Sequence, residues 1–272
     1  MIDLDPYFAR IGYSGPRTAT LETLSALHAG HTQTIAFENL NPLLRQPVKL
    51  ELAALEQKLV HDGRGGYCFE HNSLFRQVLE TLGFRVKGLA ARVLWHAAED
   101  SMPPHTHMLL CVELDDGFHI VDVGFGGMTL TAPLRLATDV VQDTPHEPFR
   151  LIRAPEESFR LQVQLPSGWQ TLYQFDLQPQ QPADYDMYNF YVSHHPESRF
   201  IHDLIAARPT PDARYALNNS ELTIHHLHGN SEKRRLTSAA ALHAALEEIF
   251  LLRLPQTPAL DALLQHALDR AS

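Results

Sequence analysis

Cys68 lies in the run Arg64-Gly65-Gly66-Tyr67-Cys68-Phe69-Glu70, where two glycines allow a tight turn and close backbone approach just ahead of a thiol. A cysteine attacks as its thiolate, so a nucleophilic cysteine needs a base, and the base needs an orienting group. The chain has 17 histidines, so the presence of one says little. His107 is distinguished by its setting: it follows Pro103-Pro104-His105-Thr106 and opens an alternating apolar stretch, Met108, Leu110, Val112 and Leu114. Asp122 stands in Ile120-Val121-Asp122-Val123-Gly124-Phe125-Gly126-Gly127, and a carboxylate amid such neighbours is costly to bury unless it is paired. A thiol, an imidazole and a carboxylate together suit acyl transfer, in which the thiolate attacks a carbonyl and the imidazole moves the proton. The other reading of Cys68 is a small buried residue filling space between a loop and a helix. The heptapeptide alone does not separate the two.

The elements that must position these residues follow from the hydrophobic periods. His71, Leu74, Phe75, Val78, Leu79 and Leu82 recur at three and four, which predicts a helix from Cys68 to a stop at Gly83. The thiol then sits at a helix N-terminus, where unpaired N–H groups and the macrodipole favour a thiolate. Asp5-Pro6, Thr20 with Leu21, Leu24, Leu27 and His28, and the segment from Glu51 to Val60 add further helices. From Leu89 the period becomes two: Leu89, Ala91, Val93 and Trp95, the His107 stretch, and Phe118 to Phe125 behind the turn Asp115-Asp116-Gly117. Phe149 to Ile152, Phe159 to Leu165 and Trp169 to Phe175, with a turn at Ser167-Gly168, continue an antiparallel sheet or barrel. A two-residue loop at Asp115-Asp116 puts His107 and Asp122 on one face, whereas a three-residue loop without a bulge does not, and the sequence leaves that register open. Gln178-Pro179-Gln180-Gln181-Pro182 reads as a linker. Beyond it Leu222 to Leu227 suits a strand, and Thr237-Ser238 and Thr257-Pro258 start helices.

Composition bounds the function. The 272 residues carry a net charge of −10 with 44% hydrophobic and 20% charged residues, an ordinary globular balance that argues against nucleic acid as a partner. No apolar run approaches the ~20 residues that cross a bilayer, and Met1-Ile2-Asp3-Leu4-Asp5 lacks the basic and apolar regions of a signal peptide. Cys68 and Cys111 are the two cysteines and neither sits in a Cys-x-x-Cys pair, so free thiols and a cytoplasmic location are expected. A Cys68–Cys111 disulfide is the alternative, and would occupy the nucleophile. His194-His195 and His225-His226 with His228 have no carboxylate or cysteine at zinc-like spacing, so no metal is expected. Lys233-Arg234-Arg235 reads as a solvated loop, and Gly124, Gly126 and Gly127 as turn or bulge glycines. Glu38 and Arg64 are expected to pair and brace the Cys68 loop.

With the motif around Cys68, His107 and its apolar strand, Val121-Asp122-Val123-Gly124-Phe125-Gly126, and Ile35-Ala36-Phe37-Glu38-Asn39-Leu40 upstream, the chain resembles the arylamine N-acetyltransferases, specifically the bacterial members. The likeness runs from about Tyr7 through the middle of the chain and weakens in the last third; the family pattern usually has proline where Ala36 stands. The resemblance implies an α+β fold of three units: a helical bundle over 1–83 carrying the nucleophile, an antiparallel β-barrel over 84–188 carrying His and Asp, and an α/β lid over 189–272. It implies a Cys68–His107–Asp122 triad that uses acetyl-coenzyme A as acyl-donor substrate, with no bound cofactor, and acts on arylamines and arylhydrazines through an acetyl-cysteine in a ping-pong cycle. By the same resemblance Phe37, Phe125 and Phe200 lie near the acceptor pocket. Partners are then the acyl donor and small aromatic amines or hydrazines, with a monomer or homodimer as the assembly. Another acyl transfer, hydrolysis at the same triad, or a redox-sensitive thiol are the competing functions.

Overall fold

The computed structural model describes residues 2–98, 101–227 and 229–270. Helix α1 (Leu4–Ile11) is capped by Asp3, whose side chain accepts from the Asp5 amide, so the expected cap at Asp5 moves two residues back and Pro6 falls inside the first turn. Helix α2 (Leu21–Thr34) is capped by the Thr20 hydroxyl on the Thr23 amide. After the short β1 (Phe37–Glu38) and α3 (Leu40–Leu43), α4 (Leu52–Leu55) runs into a π-helical turn over Glu56–His61. Helix α5 (Cys68–Thr81) then begins at the thiol itself. Its Leu74, Phe75, Val78 and Leu79 are fully buried. It stops at Gly83, whose φ of +89° suits a residue without Cβ.

Eight antiparallel strands follow: β2 (Arg85–Val93), β3 (His105–Leu114), β4 (Gly117–Val121), β5 (Leu134–Arg135), β6 (Val141–Gln142), β7 (Phe149–Ala154), β8 (Ser158–Leu165) and β9 (Gly168–Phe175). They pair in the order β5-β4-β3-β2-β9-β8-β7-β6 and form a nearly closed barrel. The free edges meet through one side chain: Gln142 on β6 accepts from the Arg135 amide at 2.8 Å and donates to its carbonyl at 2.9 Å on β5, standing in for ladder hydrogen bonds. Along β3 the even residues Met108, Leu110 and Val112 join the helical core, while Leu109 and Cys111 face the barrel interior. The strand is therefore buried on both sides, and α5 packs on its outer face.

Helix α6 (Pro182–His194) grows directly from the segment read as a linker, with Gln181 as cap residue and Pro182 in the first turn. The expected boundary between residues 188 and 189 falls inside this helix. The last third holds β10 (Ile205–Pro209), β11 (Ala213–Asn218), β12 (Glu221–His226) and β13 (Ser231–Arg235), then α7 (Ala239–Ala244), which continues as a π-helical turn over Ala245–Ile249, and α8 (Pro258–Arg270). The sheet order is β1-β10-β11-β12-β13, so Phe37 and Glu38 from the first third pair with Ala207 and Ala206 and complete the last sheet. Leu242, Leu246, Phe250, Leu260 and Leu264 cover it with a separate apolar core. The architecture is α+β, with helices, barrel and lid as expected. Among the described residues no helix is long and apolar enough to cross a membrane.

Candidate active site

Two backbone contacts hold the loop before Cys68 against β1: the Glu38 amide donates to the Gly66 carbonyl at 2.7 Å, and the Gly66 amide to the Ala36 carbonyl at 3.4 Å. Gly65 permits this approach, and Gly66 leaves room for the Glu70 side chain of α5. A Cβ on Gly65 would lie 2.0 Å from the Ala36 carbonyl oxygen, and one on Gly66 would lie 2.6 Å from Glu70 Oε2. That carboxylate reaches back to accept from the Tyr67 amide at 3.1 Å, satisfying a donor at the start of α5. Its other oxygen accepts from Lys58 Nζ at 2.6 Å. Glu38 and Arg64 pair as expected: Oε1 accepts from Arg64 Nε at 3.0 Å and Nη2 at 2.6 Å, and Oε2 accepts from the Leu40 amide at 2.6 Å. Burial would raise the Glu38 carboxyl, but Arg64 and Lys58 outweigh it and push it down to about 2. The Cys68 loop is thus tied to β1, to the π-helical turn and to its own helix by buried charge.

The barrel supplies the other two groups. Leu114 pairs with Gly117, so Asp115-Asp116 is the two-residue loop, and the ladder runs on to Leu110 opposite Val121. This register sets His107 and Asp122 on the same inward face. His107 Nε2 donates to Asp122 Oδ2 at 2.7 Å. Oδ2 also accepts from the Tyr173 hydroxyl at 3.1 Å, while Oδ1 accepts from Asn72 Nδ2 at 3.1 Å and the Gly124 amide at 3.0 Å. Four donors fill the acceptor sites of a carboxylate with no exposed area. Burial would raise its pKa, yet His107 and these hydrogen bonds hold it below the usual range. Burial would depress His107, but the Asp122 charge prevails, helped by the hydrogen bond to Asp122 and by the Cys68 sulfur as acceptor, and pushes the imidazole up to about 10. With Nε2 committed to Asp122, the nitrogen facing Cys68 is Nδ1. The thiol also lies 3.7 Å from the Thr106 carbonyl.

Gly124 makes this meeting possible. A Cβ there would lie 2.8 Å from the Cys68 Cα and 3.0 Å from Asn72 Nδ2, so it is a close-packing glycine against the start of α5 rather than a turn residue. Above Cys68 and His107 opens a predominantly apolar cleft of about 430 Å³, and Phe37, Phe125 and Phe200 all line it. The Phe37 and Phe200 ring centroids are 6.0 Å apart, and Phe125 meets the His107 ring edge-on at 5.1 Å. Trp95, Met128 and Tyr191 also line it. A larger, open and polar depression of about 720 Å³ around Arg153, Glu156 and Asp176 contains none of these residues.

Elsewhere the candidates separate from the site. Cys68 and Cys111 are both free; Cys111 belongs to the barrel interior, where burial pushes its thiol up to about 11. Lys233 and Arg234 stand on β13, paired with Glu221 and Glu232, outside the cleft. His228 lies outside the described residues, and among the described residues no group of three or more His, Cys, Asp or Glu could hold a metal ion. Asn72, Tyr173 and Lys58 were not singled out from sequence. Asn72, one helical turn beyond Cys68, carried a usable signal as a polar residue within the buried stripe of α5, whereas Tyr173 on a distant strand carried none.

The model of a family described as N-acetyltransferase matches residues 20–259. The arylamine N-acetyltransferase of Escherichia coli (strain K12) is 45% identical over 249 residues, covering 91% of this chain and 88% of that protein. The solved structure of the Mycobacterium tuberculosis arylamine N-acetyltransferase superposes with a TM-score of 0.93 at 46% identity, covering 96% of this chain and 99% of that one. That of the Mycobacterium marinum enzyme in complex with CoA superposes with a TM-score of 0.92 at 42% identity, covering 96% and 98%. The chain belongs to the arylamine N-acetyltransferase family and is an acyltransferase.

Proposed function

We propose that the protein transfers acetyl groups from acetyl-coenzyme A to arylamines and arylhydrazines by a ping-pong route through acetyl-Cys68. The observation that carries this reading is the His107 imidazole held between the Asp122 carboxylate and the Cys68 thiol at the floor of an aromatic cleft. His107, held by Asp122, takes the thiol proton, and the thiolate is the attacking species. The thiolate attacks the acetyl carbonyl, and the first-turn amides of α5, which have no helical carbonyl to bond, face the developing oxyanion. Coenzyme A leaves as its thiol with the proton from His107. Exchange of one thioester for another is close to balanced, so this half-reaction is reversible. The amine nitrogen then attacks acetyl-Cys68, His107 accepts its proton, and amide formation drives release. Phe37, Phe125 and Phe200 hold the flat acceptor ring, while Glu38, Arg64, Lys58 and Glu70 brace the nucleophile. The neighbour bound to CoA supports coenzyme A as the donor's carrier.

The test is the intact mass of the protein after incubation with acetyl-coenzyme A and no amine, beside Cys68→Ala. The expected result is one acetyl adduct, absent from the variant and discharged by an added arylamine or arylhydrazine. No adduct and no coenzyme A release would overturn the donor assignment, and steady release without an adduct would indicate hydrolysis.

A further inference from the structure

One buried cation lies outside the machinery just described but reaches its wall. Arg214, on β11, is 2% exposed. Its Nε lies 3.1 Å and 2.8 Å from the two carboxylate oxygens of Glu147, which precedes β7. Nη2 sits 2.7 Å from Glu147 Oε2 but off the hydrogen-bond line, a charge contact rather than an aligned bond. The remaining nitrogen, Nη1, points the other way and donates to the Thr129 carbonyl at 2.9 Å and, more loosely, to the Gly127 carbonyl at 3.4 Å. These two carbonyls flank Met128, and Gly126, Gly127 and Met128 line the aromatic cleft. The same loop is knotted from inside by Thr129, whose hydroxyl donates to the Asp122 carbonyl at 3.1 Å and accepts from the Phe125 amide at 3.3 Å. Opposite it stands Phe37, 3.6 Å from where a Cβ on Gly126 would lie. Gly127 itself has nothing within 4 Å of its Cβ position, so side-chain packing does not hold the loop there, and the guanidinium adds an outer tie to the inner ones made by the Thr129 hydroxyl and by the Thr129 amide on the Gly126 carbonyl at 3.1 Å.

We propose that Arg214 is a specificity-determining positioning residue: by gripping the Gly127 and Thr129 carbonyls it sets the width of the cleft available to the acceptor ring. The inference rests on the proposed use of this cleft for an aromatic amine. Its effect falls on one half-reaction. The acetyl group is small and arrives on a thin flexible arm that need only reach Sγ, whereas a rigid ring must lie against the wall while its nitrogen attacks. A loosened wall therefore weakens the fit of a one-ring amine and relieves the exclusion of a larger one.

The experiment compares Arg214→Met and Arg214→Lys with the parent in two separated steps. Single-turnover coenzyme A release without amine reports acetylation, and discharge of the preformed acetyl-enzyme by a one-ring and a three-ring arylamine reports the acceptor step. For Arg214→Met the expected acetylation rate falls no more than about threefold, while KM for the one-ring amine rises about tenfold, the worth of a lost charged hydrogen bond. The three-ring over one-ring ratio of kcat/KM rises by about the same factor. Arg214→Lys keeps the charge opposite Glu147 without the fork that reaches both partners, and gives a smaller change in the same direction. An unchanged ratio in either folded variant, or an equal fall in both half-reactions, overturns the proposal. If Arg214→Met does not fold, the Arg214→Lys ratio alone decides it. Failure of the parent to form an acetyl adduct would instead count against the proposed function.

Discussion

Asp122 has more donors aimed at it than any single role in proton transfer requires, and the surplus explains what it does. His107 takes one position on Oδ2; Tyr173, Asn72 and the Gly124 amide occupy the rest, at 3.0–3.1 Å. A carboxylate so held stays ionised when buried, and it fixes the imidazole with Nδ1 toward the thiol. Replacing Asp122 with Asn removes the charge that overcomes burial at His107 and presents an amide that favours the wrong tautomer. Asp122→Asn is expected to slow acetylation on the order of 10⁴-fold, read as coenzyme A release in a single turnover. Tyr173→Phe removes one neutral donor of four and costs less than about tenfold, roughly 1 kcal/mol. Equal losses in the two variants would contradict this division. Cys68, His107 and Asp122 stood out as candidates in sequence because each is a chemically costly residue in an apolar or glycine-bounded setting, and the family resemblance joined them as a triad. Tyr173 and Arg214 were not, because a tyrosine on an alternating strand and an arginine beside Ala213 look like ordinary packing until the barrel and the last sheet bring them round.

The elements themselves meet through glycine and through short strands, and these determine how far local pattern could go. Gly65 lets the Cys68 loop lie on β1, and a methyl there collides with backbone, 2.0 Å from the Ala36 oxygen, which cannot swing aside. Gly65→Ala is expected to cost about 3 kcal/mol or more, a fall of roughly 5 °C or more in the thermal midpoint for a chain of this size. Gly127→Ala meets open space at a backbone angle that any residue can adopt, and is expected to stay within about 0.5 kcal/mol of the parent. Matching midpoints for the two variants would show that the loop relaxes away from β1. Helix α5 and strands β3, β7, β8 and β9 declared themselves by unbroken periods and by turn residues at their ends. Helix α6 did not, because its buried side mixes Tyr185, Asn189, Val192 and Ser193 while Met187 and Phe190 point outward at 72% and 64% exposure. Strand β13 is an edge of Ser, Glu, Lys and Arg with no apolar alternation, and β1 has only two residues, so neither offers a period to read.

At the scale of the whole molecule, the neutral buried histidines of the helical unit and His107 press stability in opposite pH directions. In the helical unit a chain of hydrogen bonds has a fixed sense: the Ala36 carbonyl can only accept, so His71 Nε2–H donates to it at 3.2 Å, His31 Nε2–H donates to His71 Nδ1 at 2.8 Å, and the Tyr7 hydroxyl donates to His31 Nδ1 at 2.9 Å. Every ring in it is neutral. Burial, only partly offset by the carbonyls of Ala36 and Leu130, pushes His71 and His28 down to about 4 from an ordinary 6.5, and His31 is pushed down as well, chiefly by burial. Between 6.5 and 4 the unfolded chain therefore binds protons that the native state refuses, and stability falls as the pH is lowered through that window. Each of His71 and His28 can remove about 3 kcal/mol by its end. His107 behaves in the opposite sense: raised to about 10, its contribution is complete below 6.5 and is lost as the pH climbs through 10. The thermal midpoint is expected to peak around neutrality and to decline on both sides. His28→Gln can still donate to the Leu130 carbonyl, which His28 Nε2 contacts at 2.9 Å, but cannot titrate. Denaturant unfolding followed from pH 7 to 4 should then show an acid limb shallower by up to about 1.4 kcal/mol per pH unit, the slope of one proton. An acid limb as steep as the parent's would mean that His28 is not held neutral in the folded protein, and that the decline originates in the carboxylates instead.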